Sequence, residues 1–219
     1  MPKTINIKGV IVSDSDKWIY DLFKIEAVCA NAVEKELQDA NGDDVIVRIN
    51  SNGGDIFAGS EIYDLLASYA GNISIRIVGM AASAASVIAM AGVSEIAPTA
   101  MLMIHNVQSY AEGDYRVMGR SAEALKEANR SIMSAYRNKT GKSEEELLSL
   151  MDNETYFSAD KAVELGFIDK IASYDSPAGG IQLAASMTGL LPAEIIQKFR
   201  ADRAKALAQL DLIKLSEVK

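Results

Sequence analysis

Short apolar segments rich in β-branched residues alternate with segments of helical periodicity through the first half of this sequence. Val45–Ile49 and Ile73–Val78 have the composition of buried strands, and each is followed by residues spaced as in a helix. Such alternation is typical of βαβ units, which form parallel sheets with right-handed crossovers. The sequence therefore predicts an α/β fold in which successive strands end on one side of the sheet.

Three chemically distinctive groups follow predicted strands. The Gly53–Gly54 pair allows backbone angles at which amide N–H groups converge, Ser83 opens a predicted helix, and His105 is the only histidine of the chain. Converging N–H groups and the positive end of a helix stabilise a developing oxyanion, and an imidazole exchanges protons near neutral pH. Together the three groups have the composition of a serine hydrolase site.

Each group alone also has an ordinary structural explanation. A glycine pair is a common tight turn, a serine among alanines permits close helix packing, and a histidine after an apolar strand is more often structural than catalytic. Their order, each after a strand, favours a shared site. No metal site is expected, because the single histidine and the single cysteine, Cys29, lie on separate predicted elements. We expect no other cofactor.

Composition and charge argue against several classes of function. The net charge of −8 disfavours binding to nucleic-acid phosphates, which needs a basic face. The weakly polar run 77–93 is short for a membrane span and contains Ser83 and Ser86, so we predict a buried strand and helix there. No signal segment is evident at the start, and one cysteine excludes an intrachain disulfide. We expect a cytoplasmic protein that binds neither membrane nor nucleic acid.

The second half of the sequence is predicted to be mainly helical. Between residues 118 and 136 apolar positions recur at spacings of three and four, with charged residues on both sides. This pattern indicates a long helix with one narrow apolar seam, which can pack on another subunit as readily as on its own core. Ser143 and Glu146 form a predicted capping box for the next helix, and Ser158 is predicted to cap the one after it.

A change of composition after Tyr174 predicts two parts, a main domain over 1–174 and an extension over 175–219. Positions 175–180 are rich in Pro, Gly, Ser and Asp and predict a linker. Pro192–Leu215 has helical periodicity, with proline near its first turn. We therefore predict a C-terminal linker and helical extension outside the main core.

Three motifs give the chain a resemblance to a known family. Ile49–Gly54, Gly79–Ser83 and Met103–His105 resemble, in order, the motifs of the ClpP family of self-compartmentalised serine peptidases. The similarity runs from about residue 5 to residue 171. It implies the ClpP/crotonase fold of repeated ββα units with a projecting handle helix. It also implies a homo-oligomer, usually heptameric rings stacked as a tetradecamer around a closed chamber.

The resemblance assigns roles to single residues. Ser83 matches the catalytic nucleophile and His105 matches the general base. The backbone N–H groups of Gly54 and Ala84 match the oxyanion-hole donors. The predicted main domain is therefore a ClpP-like peptidase domain.

Several positions depart from the family pattern. Glu154 stands where the family usually has the aspartate of the triad, and Asp152 is the alternative third member. A glutamate can orient an imidazole, but its extra methylene requires a different backbone distance. Asn52 replaces a usual proline, and the chain begins almost at the first strand, without the family's axial-loop segment. An AAA+ unfoldase partner is therefore less expected here than elsewhere in the family.

The sequence thus predicts a serine endopeptidase of the ClpP type, which cleaves peptide bonds inside an oligomeric chamber through a Ser-His-Asp/Glu triad. Asn52, Glu154 and the unusual C-terminal extension resemble ClpP-type proteases of phages and prophages, some of which act in head maturation. Two alternatives stay open. One is a crotonase-fold acyl-CoA enzyme, which also uses paired amides but needs no serine nucleophile. The other is a non-catalytic, ring-forming scaffold.

Overall fold

One mixed sheet organises residues 2–174, the part of the chain that the structure, a computed structural model, describes. Its strands are β1 (Lys3–Ile11), β2 (Ala27–Val28), β3 (Val45–Gly54), β4 (Ile73–Ala82), β5 (Val93–Ile96), β6 (Met101–Ile104), β7 (Thr155–Ser158) and β8 (Lys170–Ile171). Six strands lie in the order β2-β1-β3-β4-β5-β8, and all the pairings in this row are parallel. The predicted α/β class with a parallel sheet is confirmed.

The sheet divides at β4, which has two successive neighbours on the same side. Its first half pairs with β5 from Ser74 to Ile77, and its last residues, Met80 to Ala82, pair with β6. β6 in turn pairs with β7, and this pairing is antiparallel. The branch through β6 and β7 carries the end of the sheet at which Ser83 and His105 lie.

Helices connect the strands and bury the core against the sheet. They are α1 (Lys17–Leu22), α2 (Ala30–Ala40), α3 (Ile56–Ala67), α4 (Ala84–Ile88), α5 (Tyr115–Thr140), α6 (Glu144–Asp152) and α7 (Ala159–Glu164). Alternate residues of β3 are buried, as are the inward positions of α2 and α3. Ile7, Ile49, Ile62 and Ile77 are fully buried at the centre, where apolar burial supplies most of the driving force for folding.

Two predicted strand ends near the site are wrong, because both strands continue beyond the residues at which they were predicted to end. β3 continues through the glycine pair to Gly54, and β4 continues beyond Gly79 to Ala82. The register of β3 against β4 shifts between Ile49 and Ser51, and the pairing resumes with Ser51 opposite Ala81. Because Ala81 and Ala82 also pair with β6, the helix predicted within the run 77–93 begins only at Ala84.

The long helix α5 extends the predicted range 118–136 at both ends. The Asp114 side chain caps it by accepting hydrogen bonds from two backbone N–H groups of the first turn, and Gly141 ends it in the left-handed conformation with φ of 69°. Its buried residues all lie near its C-terminal end: Ile132, Met133, Ala135 and Tyr136. Most of α5 therefore extends beyond the core. The predicted capping box of Ser143 and Glu146 at α6 is confirmed, as is the cap of Ser158 on α7.

The two strands at the ends of the parallel row, β2 and β8, have only two residues each. Helix α2 begins at Ala30, directly after β2 and its buried N-cap residue Cys29. β8 pairs with β5 at Lys170 and Ile171, and the nearby Phe167 packs into the core. The predicted linker and helical extension at 175–219 lie outside the described residues, so the division into two domains stays a prediction.

Two properties of the described part bear on the function classes considered above. None of the helices within residues 2–174 combines the length and apolar character that crossing a membrane requires. Over the same residues, no group of three or more His, Cys, Asp or Glu side chains is arranged to hold a metal ion.

Candidate active site

Ser83 lies at the turn between β4 and α4, in a backbone conformation that few residues adopt. Its φ is 54° and its ψ is −127°, outside the ordinary left-handed well. Such a conformation costs about 1–3 kcal/mol and persists only where surrounding contacts fix it. Here the Ser83 N–H donates to the Met103 carbonyl oxygen of β6 at 3.1 Å, and the Ser83 carbonyl accepts from the Ser86 hydroxyl at 2.6 Å. These contacts hold the turn.

The glycine pair at the end of β3 packs directly against that turn. Gly53 has φ of 92°, and a methyl group in place of its hydrogen would lie 2.7 Å from the Ser83 Cβ and 3.0 Å from the Ala84 nitrogen. The buried Ser51 hydroxyl supports the segment, because it accepts from the Gly53 N–H at 3.0 Å and donates to the Gly9 carbonyl at 2.6 Å. Any side chain at Gly53 would displace the Ser83 turn.

His105 follows the last residue of β6, and β6 is the neighbour of the last residues of β4. Ala82 pairs with Met103, so Ser83 and His105 follow the ends of adjacent strands. His105 is partly buried, and its imidazole makes no hydrogen bond to any residue in the range 2–174. Ser83 is thus held by hydrogen bonds to its backbone groups, whereas the His105 imidazole is positioned only by β6, the strand that it follows.

Side chains from α5, α6 and the loop before β7 hold the segment after His105. The Asn106 amide donates to Asp152 at 2.7 Å, and the Val107 N–H donates to the Asn129 side chain at 2.7 Å. The Gln108 amide donates to Glu154 at 3.3 Å. The Asn106 Oδ1 atom is buried and makes no hydrogen bond within the described residues.

Glu154 and Asp152, the two candidate carboxylates, stand differently toward His105. β6 and β7 are antiparallel and their pairing ends with Ile104 opposite Thr155, so His105 and Glu154 each lie one residue beyond the last pair. Glu154 has a positive φ of 46°, so it is not itself in strand conformation. Asp152 precedes Glu154 by two residues and is the last residue of α6. Neither carboxylate bonds the imidazole in the described chain, since Glu154 accepts from Gln108 and Asp152 from Asn106.

A cleft of about 630 Å³ joins the three sequence motifs. Gly54, Ser83 and His105 line it, and Phe57 of α3 and Leu125 of α5 contribute apolar side chains to its walls. Ala84, Asp152 and Glu154 do not line it. The cleft is open and large enough for several residues of an extended peptide, and it is lined by both a serine and a histidine.

Two parts of this arrangement are absent from the sequence-based prediction. Asn129 lies in the apolar seam predicted for α5, and its polarity there is the one signal that it bonds another segment. The contact of Ser86 with Tyr136 joins residues 50 positions apart and leaves no local pattern in the sequence. Both contacts depend on how α5 returns to the core.

Comparisons with known proteins identify the family and the fold. The family model described as Clp protease matches residues 20–175. The ATP-dependent Clp protease proteolytic subunit of Bacteroides fragilis is 27% identical over 163 residues, which cover 71% of this chain and 79% of the relative. The solved structure of a point mutant of ClpP1 from Listeria monocytogenes superposes with a TM-score of 0.66 at 22% identity, over 79% of this chain and 92% of that one.

The structural match shows that the sheet and helices form the ClpP fold, as the resemblance implied. The family match covers most of the chain and contains the segments of Ser83 and His105. The chain therefore belongs to the Clp protease family and is a serine-type endopeptidase of the ClpP kind.

Proposed function

We propose that Ser83, His105 and the backbone N–H groups of Gly54 and Ala84 perform the peptide hydrolysis of this ClpP-type peptidase. His105 takes the Ser83 hydroxyl proton while the oxygen attacks the peptide carbonyl carbon. The two N–H groups hold the resulting oxyanion. The imidazolium then gives its proton to the departing amine, which leaves an acyl-enzyme.

A water molecule completes the cycle through the same histidine. His105 removes a proton from the water, whose oxygen attacks the acyl carbon, and the proton then returns to the Ser83 oxygen as the ester bond breaks. The products are the carboxylic acid half of the substrate and free enzyme. The observation that carries this mechanism is the single cleft lined by Gly54, Ser83 and His105. Ala84 begins α4, where the first N–H groups of a helix have no intrahelical partner.

Glu154 is the proposed third member of the triad. A carboxylate beside the imidazole fixes its tautomer and stabilises the charged form that arises in each proton transfer. Glu154 and His105 each lie one residue beyond the last β6–β7 pair, which supports Glu154 over Asp152. In this proposal the Glu154 carboxylate leaves Gln108 for the imidazole when substrate or a neighbouring subunit orders the loop.

Covalent labelling tests the nucleophile. A fluorophosphonate should label the wild-type protein at Ser83, as mapped by mass spectrometry, and Ser83→Ala should abolish labelling and reduce peptide cleavage by at least roughly a thousandfold. Ser109→Ala is the matched control, because Ser109 also lines the cleft but is exposed and outside the motifs. A folded wild-type protein that stays unlabelled at Ser83 would refute the mechanism. The scaffold alternative requires that outcome, and the acyl-CoA alternative needs no serine nucleophile.

We further propose that the chain works as a homo-oligomer of stacked rings, with the projecting part of α5 in the contacts. No residue of α5 from Tyr115 to Ser131 is buried within the described chain, and Tyr115 is 83% and Met118 39% exposed. Large exposed side chains on one projecting helix are typical of a protein interface. Mass photometry should show species of 7 or 14 subunits of 23.6 kDa, as the resemblance implies. A monomer at micromolar concentration would contradict this.

The relative from Bacteroides fragilis is named an ATP-dependent Clp protease proteolytic subunit. An AAA+ unfoldase is accordingly a candidate partner for this chain. We propose that short peptides are cleaved without it, because the chemistry above uses no nucleotide. The test compares an unstructured peptide with a stably folded protein substrate. Cleavage of both at equal rates, without ATP, would argue against an unfoldase.

A further inference from the structure

A buried chain of hydrogen bonds runs from α5 to the Ser83 turn. The Tyr136 hydroxyl lies 2.7 Å from the Ser86 hydroxyl, which lies 2.6 Å from the Ser83 carbonyl oxygen. Tyr136 and Ser86 are both fully buried. Tyr136 comes from the part of α5 that packs in the core, and Ser86 from the first turn of α4. These hydrogen bonds thus connect α5 and α4 to the backbone of the candidate nucleophile.

The direction of these bonds follows from the chemistry of the three groups. A carbonyl oxygen only accepts, so the single Ser86 hydroxyl proton points to Ser83. The Tyr136 hydroxyl must therefore donate to the Ser86 oxygen. Burial raises the pKa of Tyr136 far above its usual range, against a smaller lowering by the Ser86 bond, so the phenol stays protonated at all physiological pH values. Each donor in the chain also polarises the next bond.

The Ser83 carbonyl and the Ala84 N–H belong to one planar peptide unit. In a trans peptide these two groups point in opposite directions, so fixing the carbonyl also fixes the direction of the N–H. We propose that Ser86 and Tyr136 are positioning residues that aim the Ala84 N–H at the oxyanion. This inference rests on the proposed roles of Ser83 and Ala84, and it adds two residues that touch no substrate.

The strain at Ser83 explains why an extra restraint is needed. With φ of 54° and ψ of −127°, the turn lies outside the populated regions of backbone conformation, so it relaxes unless it is held. The Ser86 and Val87 N–H groups also bond the Ser83 carbonyl, at 2.9 Å and 3.3 Å, but such main-chain bonds are common to helix starts. The hydroxyl pair is the additional restraint. A donor misdirected by a fraction of an ångström loses much of its effect on a transition state.

A purely structural role is the competing explanation, and kinetics separates the two. The rates are those of fluorophosphonate inactivation and of peptide cleavage, measured per folded molecule and well below each melting temperature. Tyr136→Phe keeps the ring packed edge-on against Phe167, so it folds. We expect the maximal inactivation rate and kcat to fall roughly 10- to 100-fold, with KI and KM unchanged. A structural role alone would lower the melting temperature and leave both rates intact.

Three further variants complete the test. Ser86→Ala should reduce the rates at least as much as Tyr136→Phe, and the double variant should match Ser86→Ala, because both changes break one chain. Ser86→Cys, similar in size but a weak donor, should give an intermediate rate. Ser134→Ala is the matched control, because it removes the same type of bond, a serine hydroxyl to the carbonyl three residues earlier, from α5. Its rates should equal those of the wild type.

The outcomes are distinguishable from failure of the proposed function. If neither wild type nor Ser134→Ala is labelled at Ser83, the nucleophile assignment fails and the positioning role falls with it. If both are labelled and Tyr136→Phe and Ser86→Ala react at wild-type rates, only the positioning role is overturned. Equal proportional rises in KI or KM with unchanged maximal rates would also overturn it, because that pattern reports lost binding.

Discussion

The two sides of the cleft are built in different ways. On the nucleophile side, the Ser83 turn is held by main-chain bonds to β6, by the Ser86 hydroxyl and by close contact with Gly53. On the base side, His105 has no hydrogen bond within the described residues, and its loop is held by side-chain amides and carboxylates. One side is part of the core, and the other rests on exposed polar contacts.

This difference teaches which part of a catalytic site the sheet alone can fix. Parallel strands place main-chain groups and the residues next to them within narrow limits, because their backbone groups are hydrogen-bonded to neighbouring strands. The side chains that hold the base come from α5, from α6 and from the loop before β7. The nucleophile side should therefore be complete in the isolated chain, whereas the base side depends on the placement of one exposed carboxylate.

The largest expected effect tests the base side. Glu154→Gln keeps the size of the side chain but removes the charge that would orient and stabilise the imidazolium. We expect kcat for a peptide substrate to fall by about 10³–10⁴-fold with little change in KM. Fluorophosphonate inactivation should slow in parallel, and melting temperature should stay nearly constant because Glu154 is exposed.

Asp152→Asn is the matched control for that prediction. Its carboxylate also bonds a side chain of the loop after His105, but the β6–β7 register does not set it opposite the histidine. We expect less than roughly a tenfold loss of kcat. A large loss in Asp152→Asn beside wild-type rates in Glu154→Gln would transfer the triad role to Asp152.

The second prediction tests the nucleophile side. Gly53→Ala introduces a methyl group 2.7 Å from both the Ala82 carbonyl oxygen and the Ser83 Cβ. Positive-φ strain and overpacking should together lower the free energy of unfolding by about 3 kcal/mol, and labelling of Ser83 should fall by about 100-fold. Chemical denaturation and labelling rates measure the two effects.

Gly42→Ala is the matched control, because it introduces positive-φ strain without a steric clash. Gly42 has a similar φ of 86°, but a methyl group there meets nothing within 4 Å. It should cost about 1 kcal/mol of stability and leave labelling unchanged. Equal labelling rates in Gly42→Ala and Gly53→Ala would show that the glycine segment and the Ser83 turn are not coupled.

The third prediction concerns the framework away from both sides. Partial burial works to raise the pKa of Asp169, but hydrogen bonds from Lys139 and Ser94 outweigh it and hold that pKa below its usual value. Because the Asp169 side chain is 45% exposed, solvent screening limits the loss in Asp169→Asn to about 1–2 kcal/mol at pH 7. Labelling of Ser83 per folded molecule should not change.

The sign of the pH dependence follows from the depressed pKa. A carboxylate of this kind stabilises the fold above its unfolded pKa of about 3.9, and the contribution disappears as pH falls through the lower folded value. The difference in stability between wild type and Asp169→Asn should therefore be largest near neutral pH and shrink below about pH 4. Urea unfolding from pH 3 to pH 7 measures it, and a constant difference would contradict the ion-pair assignment.

The smallest expected effect is at Ser158, whose hydroxyl caps α7 immediately after β7. The bond to the Lys161 N–H is long, at 3.3 Å, so Ser158→Ala should cost only about 0.5 kcal/mol. Rates should stay within about twofold of the wild type. A larger loss of kcat would show that small changes in β7 alter the position of the groups on the base side. The base side would then be less rigidly held than the nucleophile side.

The meeting of the three motifs was predictable from the sequence, because strand ends in a parallel sheet share one side. The detailed path of the chain there was not. The extended part of β4 contains a hydrogen bond from the Met80 N–H to the Asn50 side chain, 30 positions apart. No local propensity encodes such a contact, and glycines at positions 53 and 79 favoured turns where the structure has strands.

The long helix shows the same limit in another form. Its periodicity predicted the helix and its seam, but not which part of the seam enters the core. Tyr136 belongs to that seam and is fully buried, whereas Met118 is exposed. The distinction depends on where α5 crosses α4, which is a property of the tertiary fold. The third triad residue was left between Glu154 and Asp152 for a related reason, because the β6–β7 pairing was not predicted.

No residue from His105 to Ser131 is buried, so substrate selectivity and the stability of the fold can be varied independently there. This stretch forms one wall of the cleft, including Leu125, yet it contributes no buried residue to the core. Exchanging residues 119–128 for those of a relative should thus alter substrate selectivity with little loss in the thermal stability of the single subunit. A library confined to that decapeptide would explore new specificities while Ser83 and its surroundings stay as they are.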